Sequence, residues 1–186
     1  MQFFEVVEKR RSVRAFTTAA VEADKLETIL ATAMLAPSAG DLQAYQIVVI
    51  DDGETKAALA VAALGQSFVA EAAVVLVFCA SPGRSESKYG QRGASLYCIQ
   101  DATIAACYAQ LAATAQGLAS CWVGAFDEVR VAAVLRSPPR LRPVALMPIG
   151  YAAEAPERPP RRALDGLVHS GAWQPIRPSG RRAGRS

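Results

Sequence analysis

The sequence predicts one mixed α/β domain with an extended C-terminal arm, and three observations carry that expectation. The chain has 186 residues, 52% hydrophobic and 20% charged, a length that suits roughly one domain with a substantial buried core. Two short, unbroken apolar runs rich in β-branched residues, 47–50 and 73–79, read as buried strands. Before and after them, apolar residues recur at helical spacing.

The elements follow in order. Residues 3–10 set Phe3, Phe4, Val6 and Val7 against Glu5, Glu8 and Lys9 at a helical period, and 17–23 form a connection. Asp24 is the expected N-cap of a second helix, with Glu27 at the capping-box position and Pro37 stopping it near Ala36. Composition makes 37–41 a loop. A strand over 46–51 and a helix over 54–63 come next. The run 73–79 is expected as a central strand, and the polar, glycine-containing stretch 81–93 as a long surface loop. Tyr97, Ile104, Tyr108, Leu111, Ala115 and Leu118 recur at steps of 7, 4, 3, 4 and 3. They form one stripe of a long helix that Gly117 stops. Strands over 121–126 and 144–151 flank a helix capped by Asp127 and ended by Pro138 and Pro139. Beyond Pro156 the chain is rich in proline and arginine. The domain is expected to span 1–174, with 175–186 a disordered basic tail.

Composition excludes several functions. Cys79, Cys98, Cys107 and Cys121 are spaced 19, 9 and 14 apart beside a single histidine, His169. That pattern suits neither a disulfide scaffold nor a zinc site and fits a reducing, cytoplasmic compartment. No apolar run approaches the roughly 18 residues of a membrane span, and the N-terminus has no secretory signal region. The net charge of +3 is uneven: Lys9, Arg10, Arg11 and Arg14 crowd the start, and seven arginines follow Glu157. Basic ends of this kind fit nucleic acid, a membrane surface or one bound phosphate.

Neither a P-loop nor a G-x-G-x-x-G cradle is present, and no G-x-S-x-G elbow accompanies the lone histidine. Four other segments offer chemistry. Arg10, Arg11, Ser12 and Arg14 can hold a dianionic phosphate through guanidinium forks and a hydroxyl, or simply offset the dipole of the preceding helix. In the 37–43 loop, small residues permit close backbone approach to a flat ligand, while Asp41 and Gln43 offer hydrogen bonds; an ordinary helix-to-strand turn would look the same. The third segment is S-C-W-V-G at 120–124, where Trp122 is more often core than ligand platform. The fourth is P-I-G-Y at 148–151 with R-R-A-L at 161–164, whose arginines alone could be solvated linker charge.

As an ordered set, R-R-S-V-R, A-P-S-A-G-D-L-Q, S-C-W-V-G and P-I-G-Y with R-R-A-L resemble the nitroreductase family of FMN enzymes, from about Phe3 to Trp173. The resemblance implies an α+β fold: a central mixed or antiparallel sheet flanked by helices, in an intertwined homodimer with flavin sites at its interface. It assigns Arg10, Arg11, Ser12 and Arg14 to the flavin phosphate, ribityl chain and pyrimidine edge. It assigns Pro37, Ser38, Ala39, Asp41 and Gln43 to a loop reaching the partner's flavin, Pro148, Ile149 and Gly150 to the ring, and Arg161 to the phosphate. Two positions depart from the family. Asp41 replaces an asparagine, exchanging an amide donor for an acceptor-only group. Pro159 replaces a basic residue two places before Arg161, leaving Arg162 beside it.

The implied activity is ping-pong hydride transfer from NADH or NADPH through FMN to a nitroaromatic, quinone or related acceptor. Because the flavin carries the chemistry, no catalytic acid–base pair and no metal is expected. Family relatives with specialised reactions (flavin cleavage, reductive dehalogenation, heterocycle oxidation) form the alternative, and a non-catalytic flavin-binding or nucleic-acid binding module ranks below them. A nucleic-acid or membrane partner is not expected, since the tail lacks interleaved aromatics and the centre is neutral and alanine-rich.

Overall fold

Four antiparallel strands, β1 (Tyr45–Ile50), β2 (Val74–Ala80), β3 (Ala119–Ser120) and β4 (Arg142–Gly150), lie in the order β1-β2-β4-β3, with helices on both faces. The computed structural model describes residues 2–173. One compact unit runs to Pro156, and Glu157–Ser186 forms a second, in which Leu164–Gly166 makes a 3-10 turn. The expected tail, 175–186, lies outside the described residues.

α1 (Phe3–Lys9) and α2 (Ala23–Met34) open the chain. α2 starts earlier than expected: its N-cap is Glu22, and Asp24 sits in the first turn. The reason is tertiary, because Glu22 is held by the Tyr151 hydroxyl at 2.7 Å and by Lys25 at 3.1 Å. β1 (Tyr45–Ile50), α3 (Gly53–Ala62) and the short α4 (Phe68–Glu71) lead into β2 (Val74–Ala80).

Every residue of β2 is buried, because both faces of the sheet are covered. Leu76 and Phe78 join α2 and α6 (Cys98–Ala115) in one core cluster. Val75, Val77 and Cys79 join residues of α3, α4 and α7 (Glu128–Val134) in the other. Strand alternation thus feeds two cores. Asp127 caps α7 as expected, accepting from the Arg130 N–H at 3.0 Å.

Three expectations are corrected. Residues 81–93 are not a loop: α5 (Pro82–Arg92) fills them, broken at Gly90 and continued by a π-helical turn, Gly93–Tyr97. Pro82 at the first helical turn favours this start, and a helix that buries only Ser85 has a loop-like composition. The stripe on α6 is also not the buried face. Ala102, Ala105, Ala106, Ala109, Ala112 and Ala113 pack inward, while Ile104 and Leu111 are half-buried and Tyr108 is exposed. Alanine lets α6 lie close against α2 and the sheet, and the bulkier side chains are left outside. Finally, 121–126 is not a strand. β3 is Ala119–Ser120, followed only by an isolated Val123–Leu146 bridge. Cys121 N–H reaches Pro148 O at 3.3 Å, and Pro148 has no N–H to return, so the ladder breaks there. β4 (Arg142–Gly150) completes the sheet.

Candidate functional site

The segment after α1 is drawn against the sheet. Ser12 bridges Ser120, the Val13 N–H donates to Ser120 O at 3.1 Å, and the Thr17 N–H donates to Tyr151 O at 2.8 Å. Ser120 in turn pairs with Ile149. Backbone pairing therefore sets Arg10–Ser12 and Arg14 beside Pro148, Ile149 and Gly150 at one end of the sheet. The Glu154 carboxylate accepts the Arg14 backbone N–H, fixing the segment from the far side.

The four residues of this basic segment differ in what they do. Arg11 turns its Nη1 back onto Glu8 O and onto Arg10 O at 2.9 Å, capping α1. Among the described residues, the Arg10 and Arg14 guanidinium groups have no hydrogen-bond or ion-pair partner. A depression of about 390 Å³ opens here, lined by Lys9, Arg10, Arg11, Leu118 and Glu154. Ser120 Oγ is buried without a partner among the described residues, although a buried hydroxyl normally finds one. Burial pushes the neighbouring Cys121 thiol pKa up, while Arg14 and Arg10 pull it the other way. Burial likewise pushes Cys79 up to about 12, so neither sulfur is a nucleophile. Two uncommitted guanidinium groups at this end of the sheet fit a phosphorylated ligand such as FMN.

The 37–43 loop lies elsewhere. Tyr45, which follows it, pairs with Ala80, and Ala80 pairs with Arg142; Ile149 is at the opposite end, opposite Val74. α6 measures the separation. The loop hangs on Asp101, and another concavity, lined by Pro37, Ser38, Tyr97 and Gln100, lies beside it. The candidate phosphate site lies near the far end of α6, beyond which Gly117 and Leu118 line it. A rise of 1.5 Å per residue puts about 20 Å between the Asp101 and Thr114 turns.

Asp101, to which the sequence assigned no role, holds this loop in place. Only 2% exposed, its carboxylate accepts the Ala39 N–H at 2.9 Å and the Ala44 N–H at 3.2 Å, clasping both ends of the loop. Gln43 Nε2 donates to Met34 O at 3.0 Å, and the Gln43 N–H donates to Ser38 Oγ at 2.9 Å. Gly40, Asp41 and Gln43 all have positive φ, at 57°, 56° and 46°. Asp, like Asn, tolerates that region better than most residues, so the carboxylate at 41 is compatible with the turn. Trp122 is half-buried against the α2–α6 core. Arg161 belongs to the second unit, and its assignment rests on the motif alone. No helix among the described residues is long and apolar enough to cross a membrane.

Comparison with known proteins identifies the relatives of this fold. The model of the nitroreductase family matches residues 7–69 and 61–151. An NADH dehydrogenase of Thermus thermophilus is 34% identical over 86% of this chain and 91% of its own length. An FMN reductase (NADPH) of Bacillus subtilis is 27% identical, over 91% of this chain and 73% of its own. Among solved structures, the NADPH:FMN oxidoreductase from Vibrio harveyi complexed with NAD+ superposes with a TM-score of 0.87 at 27% identity, covering 94% of this chain and 79% of that one.

Proposed function

The chain belongs to the nitroreductase family, and we infer from that premise that it is an FMN-dependent oxidoreductase driven by NAD(P)H. The observation that carries this reading is the sheet end where, among the described residues, Arg10 and Arg14 have no ion-pair partner and the buried Ser120 hydroxyl has no hydrogen-bond partner. Bound FMN would supply the redox chemistry, taking hydride from the nicotinamide donor and passing electrons to an acceptor. The chain's part is to bind and orient. Arg10 and Ser12 hold the phosphate and ribityl chain, with Arg11 and Arg161 assigned to the same end by the motif. Arg14 offers a cation toward the pyrimidine edge, where it favours negative charge. Pro148, Ile149 and Gly150 form a wall along the ring. We assign a nitroaromatic or quinone as acceptor and the cytoplasm as compartment, which suits four free cysteines.

The complete site takes two copies of the chain. The loop 37–43 and the basic segment sit at opposite ends of α6, too far apart to hold one flavin between them in a single copy. A two-fold axis across the middle of α6 brings the loop of one copy to the basic end of the other. The outward face of α6 supports that pairing. Tyr108, Leu111 and Phe3 line an apolar groove of about 510 Å³, and Phe4, Met34 and Leu35 are also exposed, more apolar surface than a monomer leaves uncovered by chance.

Two measurements test the reading. The visible spectrum of the purified protein is expected to show flavin that bleaches on anaerobic addition of NADH or NADPH. Absence of flavin even after adding FMN would refute the assignment. Tyr108→Arg is expected to yield monomers that release FMN, and a proven monomer with full flavin would rule out the shared site.

A further inference from the structure

α5 leans on the outer side of the 37–43 loop. Arg84 Nε donates to Leu42 O, and Lys88 Nζ lies 3.5 Å from Gly40 O. Gly40 makes the approach possible: a Cβ there would stand 2.3 Å from the Tyr89 hydroxyl and 2.5 Å from Lys88 Nζ. Ammonium and phenol therefore lie no more than about 5 Å apart at the surface of the loop, close enough for a single ligand oxygen to accept from both.

These donors are largely unspent. A 3.5 Å contact is at the outer limit of a hydrogen bond, and Lys88 is exposed. Neither Lys88 nor Arg84 forms an ion pair among the described residues, although Glu86 lies between them in the chain and Asp41 follows Gly40. Lys88 also lies 5.4 Å from the Tyr89 ring centroid, which holds the two side chains together. Arg92, by contrast, is committed to the Tyr97 hydroxyl at 3.0 Å and is not part of the group.

We propose that Lys88, Tyr89 and Arg84 form an anion-receiving rim that binds the 2′-phosphate of NADPH, making NADPH the preferred donor. The proposal rests on the reading of 37–43 as the loop that covers a flavin, because only then does the rim border the path of the donor. NADPH and NADH differ at one ribose position, a phosphate dianion against a neutral hydroxyl. A lysine, an arginine and a phenol make charge-assisted or donor bonds to the dianion and gain little from the hydroxyl.

Steady-state rates with both donors, together with flavin content, test the rim in the wild type and in Lys88→Gln. The wild type is expected to favour NADPH by about tenfold or more in kcat/KM. Lys88→Gln is expected to abolish most of that ratio through a higher KM for NADPH, with NADH kinetics and flavin content unchanged. Equal use of the donors, preference for NADH, or an equal loss with both would overturn the proposal. So would flavin loss in Lys88→Gln, which would make the lysine a brace for the loop. Calorimetry with 2′-AMP separates this proposal from the flavin reading. Binding abolished by Lys88→Gln would uphold the rim even in a protein that took up no FMN, and absence of binding overturns it regardless. Inorganic phosphate that competes as well as 2′-AMP would mark a free-phosphate site and overturn the donor assignment.

Discussion

Replacing Asp101 with asparagine tests how the 37–43 loop is held. In the native protein both carboxylate oxygens are used, one by the Ala39 N–H at 2.9 Å and the other by the Ala44 N–H at 3.2 Å, in a site that water hardly reaches. Asparagine keeps the shape but has one acceptor oxygen. Its amide NH2 would face a backbone N–H, leaving that donor buried and unpaired. A hydrogen bond to a charged group is worth about 1.5–3 kcal/mol, and a stranded buried donor costs about 1–3 kcal/mol. We therefore expect Asp101→Asn to lose about 3 kcal/mol in urea unfolding. At about 2–4 °C per kcal/mol for a chain of this size, Tm should fall by roughly 6–12 °C. Because the loop carries half of the proposed site, FMN should also dissociate more readily, read by flavin released on dilution. A loss below about 0.5 kcal/mol with flavin affinity unchanged would show that the loop keeps its shape without the clasp.

Three further outcomes are expected. Arg10→Ala should weaken FMN binding by about 1.5–3 kcal/mol, roughly 10- to 150-fold in Kd by fluorescence titration; normal occupancy would remove Arg10 from the phosphate site. Tyr151 and Lys25 lower the Glu22 pKa from 4.5 to about 2. Its stabilisation is therefore complete above pH 4.5 and lost as pH falls toward 2. Melting curves of the wild type and Glu22→Gln should differ at pH 6 and converge near pH 2, and a constant gap would contradict the coupling. Gly93→Ala places a Cβ 2.5 Å from Ser85 O, so α5 must lift off the turn behind it. Limited proteolysis should then cut within 82–97 faster than in the wild type, and an unchanged rate would mean the contact relaxes freely.

Much of the fold was legible because its causes are local. The run 73–79 is apolar on both faces and became β2, buried throughout. Asp127 capped its helix because the bond it makes spans three residues. The motif segments could likewise be read in order, since each is a short stretch with its own chemistry. Other features were hidden by distance or by misleading composition. The polar segment 82–92 reads as a loop, yet α5 forms and braces Leu42 and Gly40. Large side chains on α6 look like the buried stripe, but small alanines are what a close-packed interior accepts. Glu22 rather than Asp24 starts α2, and the hydroxyl that holds Glu22 is 129 residues away.

By itself the sequence determined the family, the two-sided core strand and the identity of the basic and small-residue segments, because periodicity, turn chemistry and motif order are properties of neighbouring residues. Only the tertiary structure decided that the basic segment joins Ile149 through Ser120 while the 37–43 loop is carried to the opposite end of the sheet. It alone also revealed Asp101 as the clasp. Strand order and register, and backbone donors brought to a carboxylate from 57 and 62 residues away, exist only once the chain has folded.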